Sequence, residues 1–100
     1  MFRQRCTVFE QILQRMQEKI RQQQYVMTLH AEEEMEDDHL SIYDIEQGIF
    51  TGIILERQSD RTTGEWKYRI RGTTLDNTDI EVVAKLGMTG KVIIITVYLL

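Results

Sequence analysis

The 100-residue chain has one cysteine, no proline, six glycines, and no apolar run long enough to cross a membrane as a helix. Each shortage excludes something. A lone Cys6 cannot form an internal disulfide, which suits a reducing, cytoplasmic setting. A nucleophilic cysteine needs a base beside it, and no histidine lies close to Cys6 in sequence, so Cys6 reads as a small side chain on an N-terminal helix. The basic start Met1-Phe2-Arg3-Gln4-Arg5 is followed by no apolar stretch, so no secretory signal is expected. The longest apolar run, Val92 to Leu100, is too short for a membrane helix, and its β-branched residues point to a buried strand. There is no glycine-rich phosphate loop, serine nucleophile motif, HExxH, EF-hand or cysteine cluster. Without repeats or a low-complexity linker, residues 1–100 read as a single globular domain.

Charge is unevenly spread. Residues 1–24 carry five basic and two acidic groups, a net of +3. Residues 25–50 carry eight acids and no Lys or Arg, a net of −8, and residues 51–100 carry seven basic and six acidic groups, a net of +1. These sum to the formal −4, which excludes a uniformly basic nucleic-acid binder but not a local basic patch.

The hydrophobic period changes near residue 50. Phe9, Ile12, Leu13, Met16 and Ile20 recur at helical spacing, and the Gln22-Gln23-Gln24 run ends that helix. Thr28 is placed to cap a second helix whose first turns are acidic, and Ser41 with Asp44 forms a capping box for a third carrying Ile42, Ile45 and Phe50. From Thr51 the pattern alternates. Ile53-Ile54-Leu55 opens a strand, Gln58 to Gly64 forms a loop, and Trp66, Tyr68 and Ile70 alternate with Lys67, Arg69 and Arg71. Ile80, Val82 and Ala84 alternate with Glu81, Val83 and Lys85, and Val92 to Tyr98 is apolar on both faces. An odd hairpin loop, Asp76-Asn77-Thr78, would put Ile70 opposite Ala84, Arg71 opposite Val83 and Arg69 opposite Lys85. The expectation is an α+β domain. About three helices from residues 1–50 pack on one face of a four-stranded antiparallel sheet from residues 51–100. Lys67, Arg69, Arg71 and Lys85 share the other face.

Two groups of residues could carry chemistry. His30, at the start of a helix, can act as acid or base near neutral pH, though the same position suits a histidine held against backbone. The run Glu32 to His39 places Glu34 one helical turn from His30, a spacing two metal ligands could share. No second histidine stands at a matching offset, so the run reads as a solvated acidic surface and no metal is expected. The basic strand face could bind phosphate through Lys67, Arg69, Arg71 and Lys85, or could serve as a solvent face with cross-strand ion pairs.

Thr28-Leu29-His30-Ala31 leading to Met35, then Leu40-Ser41, Asp44-Ile45 and Gly48, together with Ile54-Leu55-Glu56, Arg71-Gly72 and the closing Thr96-Val97-Tyr98, resemble a bacterial domain family of unknown function. The resemblance runs from about Tyr25 to Tyr98. That family is grouped with RelE-, MqsR- and barnase-like ribonucleases, including toxins of toxin–antitoxin pairs. The resemblance implies a RelE/barnase-like fold, metal-independent and cofactor-free RNA cleavage, and a zinc-finger antitoxin-like partner. It implies that His30, Thr96 and Tyr98 lie at motif positions, and the strand alternation adds Arg71 as a catalytic residue and Lys67, Arg69 and Lys85 as RNA-binding residues. Glu34 departs from the family box, which carries Arg just before its Met.

Three functional expectations follow. The first is a toxin-like, metal-independent ribonuclease acting through His30 and the basic strand face. The second is a non-catalytic protein-interaction domain of the same fold, whose acidic segment docks a basic partner surface. The third is a homo-oligomer paired through a sheet edge near Val92–Leu100.

Overall fold

A computed structural model of the protein describes residues 7–100, and Cys6 lies outside the described residues. Helix α1 (Val8–Arg21) starts at a full capping box. Thr7 Oγ1 accepts from the Glu10 amide at 3.1 Å, and Glu10 Oε2 accepts from the Thr7 amide at 3.2 Å. Its Leu13, Met16 and Ile20 are buried, with Phe9 and Ile12 packed beside them. The glutamine run ends it, with Gln22 as C-cap and Gln23 at positive φ. Helices α2 (Leu29–Asp37) and α3 (Ile42–Phe50) start at Thr28 and Ser41, and the Ser41–Asp44 box makes both of its hydrogen bonds.

The sheet differs from expectation. It has five strands, not four, and it is mixed. β1 (Tyr25–Met27), β2 (Ile53–Ser59), β3 (Trp66–Thr73), β4 (Asp79–Leu86) and β5 (Val92–Leu99) lie in the order β1-β5-β4-β3-β2. β1 runs parallel to β5, and the other pairs are antiparallel. Three residues are too few to show an alternation, so β1 is silent in the sequence. It exists because the apolar β5 needs a neighbour on that side, and Tyr25, Val26 and Met27 pair with Val92, Ile93 and Ile94.

The β3–β4 register also differs. The loop is odd, as expected, but longer. Thr73 pairs with Asp79, so Ile70 faces Val82, Arg71 faces Glu81 and Arg69 faces Val83. The two-residue shift preserves which side chains point to the core. It arises because Thr74 to Thr78 fold into a closed turn: the Thr74 amide donates to Thr78 O at 2.9 Å, Asn77 sits at positive φ, and Asp76 Oδ1 accepts from the Thr74 and Thr78 hydroxyls.

The helices cover one sheet face. Tyr68, Ile70, Ile80, Val82, Ala84, Val92, Ile94 and Val97 are buried against Leu13, Met16, Ile20, Ala31, Ile45 and Ile49. Trp66 shares this face but is 47% exposed, at the rim of the helical layer instead of in the core. Helix α3 lies directly on β3 because glycines meet there. A Cβ on Gly72 would stand 1.9 Å from Gly48 O, and one on Gly48 would stand 2.8 Å from Ile80 Cγ2.

Helix α2 takes a different place, along the outer edge of β5 beyond β1. The Thr28 amide donates to Ile94 O at 2.9 Å and Thr28 Oγ1 to Ile95 O at 3.1 Å. Glu34 Oε1 accepts from the Val97 amide at 3.2 Å, and Asp38 Oδ2 from the Leu99 amide at 3.3 Å. Two carboxylates of the acidic run are therefore backbone acceptors and not part of a solvated surface.

Gly72→Ala is expected to destabilise the protein by about 3 kcal/mol, because the backbone of α3 must move to admit the methyl group. Urea unfolding midpoints measure this. An unchanged midpoint would mean that α3 does not rest on β3.

Candidate functional site

The sheet face that the described helices leave uncovered is shaped by two bulges. In β2, Ile54 pairs with Ile70 and Glu56 with Arg69, which leaves Leu55 as an extra residue. In β5, Ile94 pairs with Ala84 and Thr96 with Val83, which leaves Ile95 extra. Without the β5 bulge, Thr96 and Tyr98 would continue the core face of Ile94. With it, Val97 turns to the core, and Thr96 and Tyr98 join Glu81, Val83 and Lys85 on the open side. The β2 bulge likewise brings Glu56 beside Arg69.

A charged network forms where these strands meet. Arg69 Nη1 donates to Glu81 Oε1 at 2.8 Å, and Arg69 Nε donates to Glu56 Oε1 at 3.0 Å. The Tyr98 hydroxyl donates to Glu81 Oε2, and Gln58 Nε2 donates to Glu56 at 2.8 Å. Glu81 is 4% exposed, so its charge depends on these donors. The bond to Glu81, helped by burial, holds the Tyr98 pKa above the ordinary tyrosine value, while Arg69 pulls the other way. Gln58 first and Arg69 second hold Glu56 below the usual carboxylate range. Hydrogen bonding to Glu56 raises the Arg69 pKa further.

His30 stands on the first turn of α2, which runs along β5. Its side chain is 66% exposed, and its Nε2 lies 3.1 Å from Glu34 Oε1. Glu34 links the two groups. It receives the Val97 amide, and its charge adds to the upward shift of Tyr98. The structure thus groups Arg69 and Tyr98 through Glu81, with Thr96 on the same face, and joins His30 to them only through Glu34. The other cations stand apart. Arg71 pairs with Asp79 at 3.3 Å, and Lys85 pairs with Asp60 at 3.3 Å and Glu65 at 3.8 Å. Among the described residues, Lys67 makes no ion pair.

Sequence reasoning missed Glu81 and Glu56 as members, and saw Glu34 as a helical-turn neighbour of His30 and a departure from the family box but not as a backbone acceptor. The signal for Glu81 was present, since an acid in the run Ile80 to Ala84 needs a cation on the neighbouring strand. Among the described residues, no group of three or more His, Cys, Asp or Glu side chains is arranged to hold a metal ion, and no helix is long and apolar enough to cross a membrane.

Residues 27–99 match the model of a family described as Domain of unknown function (DUF4258). The chain belongs to this family. Every residue of the charged network lies inside the DUF4258 span, whereas α1 and most of β1 precede it. No curated protein and no solved structure matches the chain significantly.

Two tyrosines are expected to titrate above the ordinary range. Tyr98 does so for the reasons above, and Tyr25 through burial and its bond to Glu46. Both pKa values are higher in the folded than in the unfolded chain. The stabilisation they carry is therefore complete below the unfolded value and is lost as pH rises above about 10. Stability measured from neutral to alkaline pH should fall there, and Tyr98→Phe should reduce the fall. An equal fall in the variant would show that Tyr98 is not held by Glu81.

Proposed function

We propose that this DUF4258 chain is a metal-independent endoribonuclease whose site is the cluster of His30, Glu34, Arg69, Glu81, Thr96 and Tyr98. The observations that carry the proposal are a histidine–carboxylate pair and a tyrosine–carboxylate–arginine chain, with the charge of Glu34 felt at Tyr98. Cleavage of RNA by its own 2′-hydroxyl needs a base, an acid and a cation, and no metal.

Glu34 beside Nε2 favours the proton on that nitrogen, which leaves Nδ1 of His30 as the base. His30 takes the 2′-hydroxyl proton as the 2′-oxygen bonds to phosphorus. Tyr98, kept protonated by its raised pKa, gives its proton to the leaving 5′-oxygen as the phosphorus–5′-oxygen bond breaks. The Arg69 guanidinium steadies both the phosphorane-like charge and the tyrosinate that remains, in keeping with its downward pull on Tyr98. Proton exchange with water restores both groups and leaves a 2′,3′-cyclic phosphate. Arg71, Lys67 and Lys85 then serve only as outlying phosphate contacts, and Thr96 as a neighbouring hydroxyl.

A second reading, a protein-interaction domain that docks a basic partner such as an antitoxin-like protein, is favoured by one observation. Glu32, Glu33, Glu36 and Asp37 on α2 are exposed, and among the described residues none makes an ion pair.

Purified protein incubated with single-stranded RNA in EDTA is expected to release cyclic-phosphate ends, and to leave the matching DNA intact. His30→Ala and Tyr98→Phe should each slow cleavage by about a hundred-fold or more. No cleavage by the unaltered protein would overturn the ribonuclease and leave the acidic helix as the functional surface.

A further inference from the structure

The start of β3 carries an aromatic group that the charged network does not use. Trp66 is the chain's one tryptophan and is half exposed, although Tyr68 and Ile70 beyond it on the same face are buried. The Arg57 guanidinium lies over its ring, 4.1 Å from the centroid. The indole also lines a groove of about 270 Å³ between α1 and the sheet, together with Ile12, Arg15, Glu65, Tyr68 and Leu86. Arg15 is exposed and, among the described residues, makes no ion pair, while Glu65 is drawn toward Lys85 at 3.8 Å. The groove and the Trp66 ring at its edge therefore join an apolar, aromatic floor to two arginines, Arg15 in the groove and Arg57 over the ring, neither of which makes an ion pair among the described residues.

We infer that Trp66, with Arg57 and Arg15, forms a base-stacking subsite for single-stranded nucleic acid, separate from the catalytic cluster. A flat base gains from an indole whatever its sequence, and the cations receive the backbone phosphates. The placement suits a strand that continues to the uncovered face. Trp66 and Arg69 are three residues apart on β3, about 10 Å along the strand. The unpaired Lys67 lies between them on the uncovered side. A chain held at Trp66 can pass the end of the β2–β3 hairpin, meet Lys67 and reach Arg69. The choice of RNA as the natural ligand rests on the ribonuclease reading, but the stacking site stands or falls by itself.

The test uses oligodeoxythymidylate, which has no 2′-hydroxyl and is not cut by the proposed chemistry. Its addition is expected to quench the single tryptophan's fluorescence to saturation. Anisotropy of the labelled oligonucleotide should show affinity falling about ten-fold or more in Trp66→Ala, while Trp66→Phe, which keeps an aromatic face, binds within a few-fold of the unaltered protein. The double variant Arg15→Ala, Arg57→Ala should bind more weakly and with a shallower dependence on salt. Absence of quenching, or unchanged affinity in Trp66→Ala, overturns the subsite even if RNA is cleaved. Quenching without RNA cleavage keeps the subsite and removes the ribonuclease.

Discussion

The outer edge of β5 must find partners for its backbone amides, and much of the site's arrangement depends on how it does so. β1 is too short to pair past Ile94. Beyond that point the edge would be bare, at a cost of about 1–3 kcal/mol for each buried amide left without an acceptor. Helix α2 supplies the acceptors. Glu34 and Asp38 are four residues apart on a helix, a rise of about 6 Å. Val97 and Leu99 are two residues apart on a strand, a rise of about 6.6 Å. The two spacings agree closely enough for successive carboxylates to meet successive outward-facing amides. This match fixes α2 both along the strand and about its own axis, and so leaves His30 exposed beside Glu34 and turns Ala31 toward the core. It also divides the acidic run by role, with Glu34 and Asp38 bound to backbone and Glu32, Glu33, Glu36 and Asp37 left to solvent.

The same logic governs the sheet face. A buried carboxylate at Glu81 is tolerable only with donors on both oxygens, and Arg69 and Tyr98 provide them. What looks in sequence like a basic stripe is therefore largely neutralised from within. Arg69, Arg71 and Lys85 each hold at least one acid. Cations arranged this way shape a site as much as they charge it, since each pair fixes the direction of a side chain that would otherwise wander.

The parts legible in sequence were those set by local rules. The Thr28 and Ser41 caps, the apolar stripe from Phe9 to Ile20, and the alternation from Trp66 to Arg71 and from Ile80 to Lys85 all reappear in the structure. The parts hidden in sequence were those set by distant neighbours. β1 exists only because β5 does. The bulges at Leu55 and Ile95 leave no mark on composition, yet they decide which side of the sheet Glu56, Thr96 and Tyr98 occupy. Glu34, which by charge alone looked out of place beside His30, has a second demand on it from the Val97 amide that no spacing rule reveals. Parity gives Trp66 the core-facing side, but alternation does not show how far the covering helices extend, and Trp66 lies at their rim.

Arg69 is the point at which structure and chemistry compete. Its two carboxylates are not equivalent. Glu81 is nearly inaccessible and shared with Tyr98, whereas Glu56 has a side chain about half exposed and leans on Gln58. In the proposed ribonuclease, a phosphate arriving from solvent would displace Glu56 without disturbing Glu81, and the bond that remains would keep the guanidinium aimed across the face. On that proposal Glu56 stands in for the ligand, and the binding free energy of a phosphate would be reduced by whatever that pair was worth. Such a site discriminates by geometry more than by charge. A ligand that can only attract Arg69 gains little over Glu56, while one that also reaches His30 and Tyr98 gains what Glu56 cannot offer.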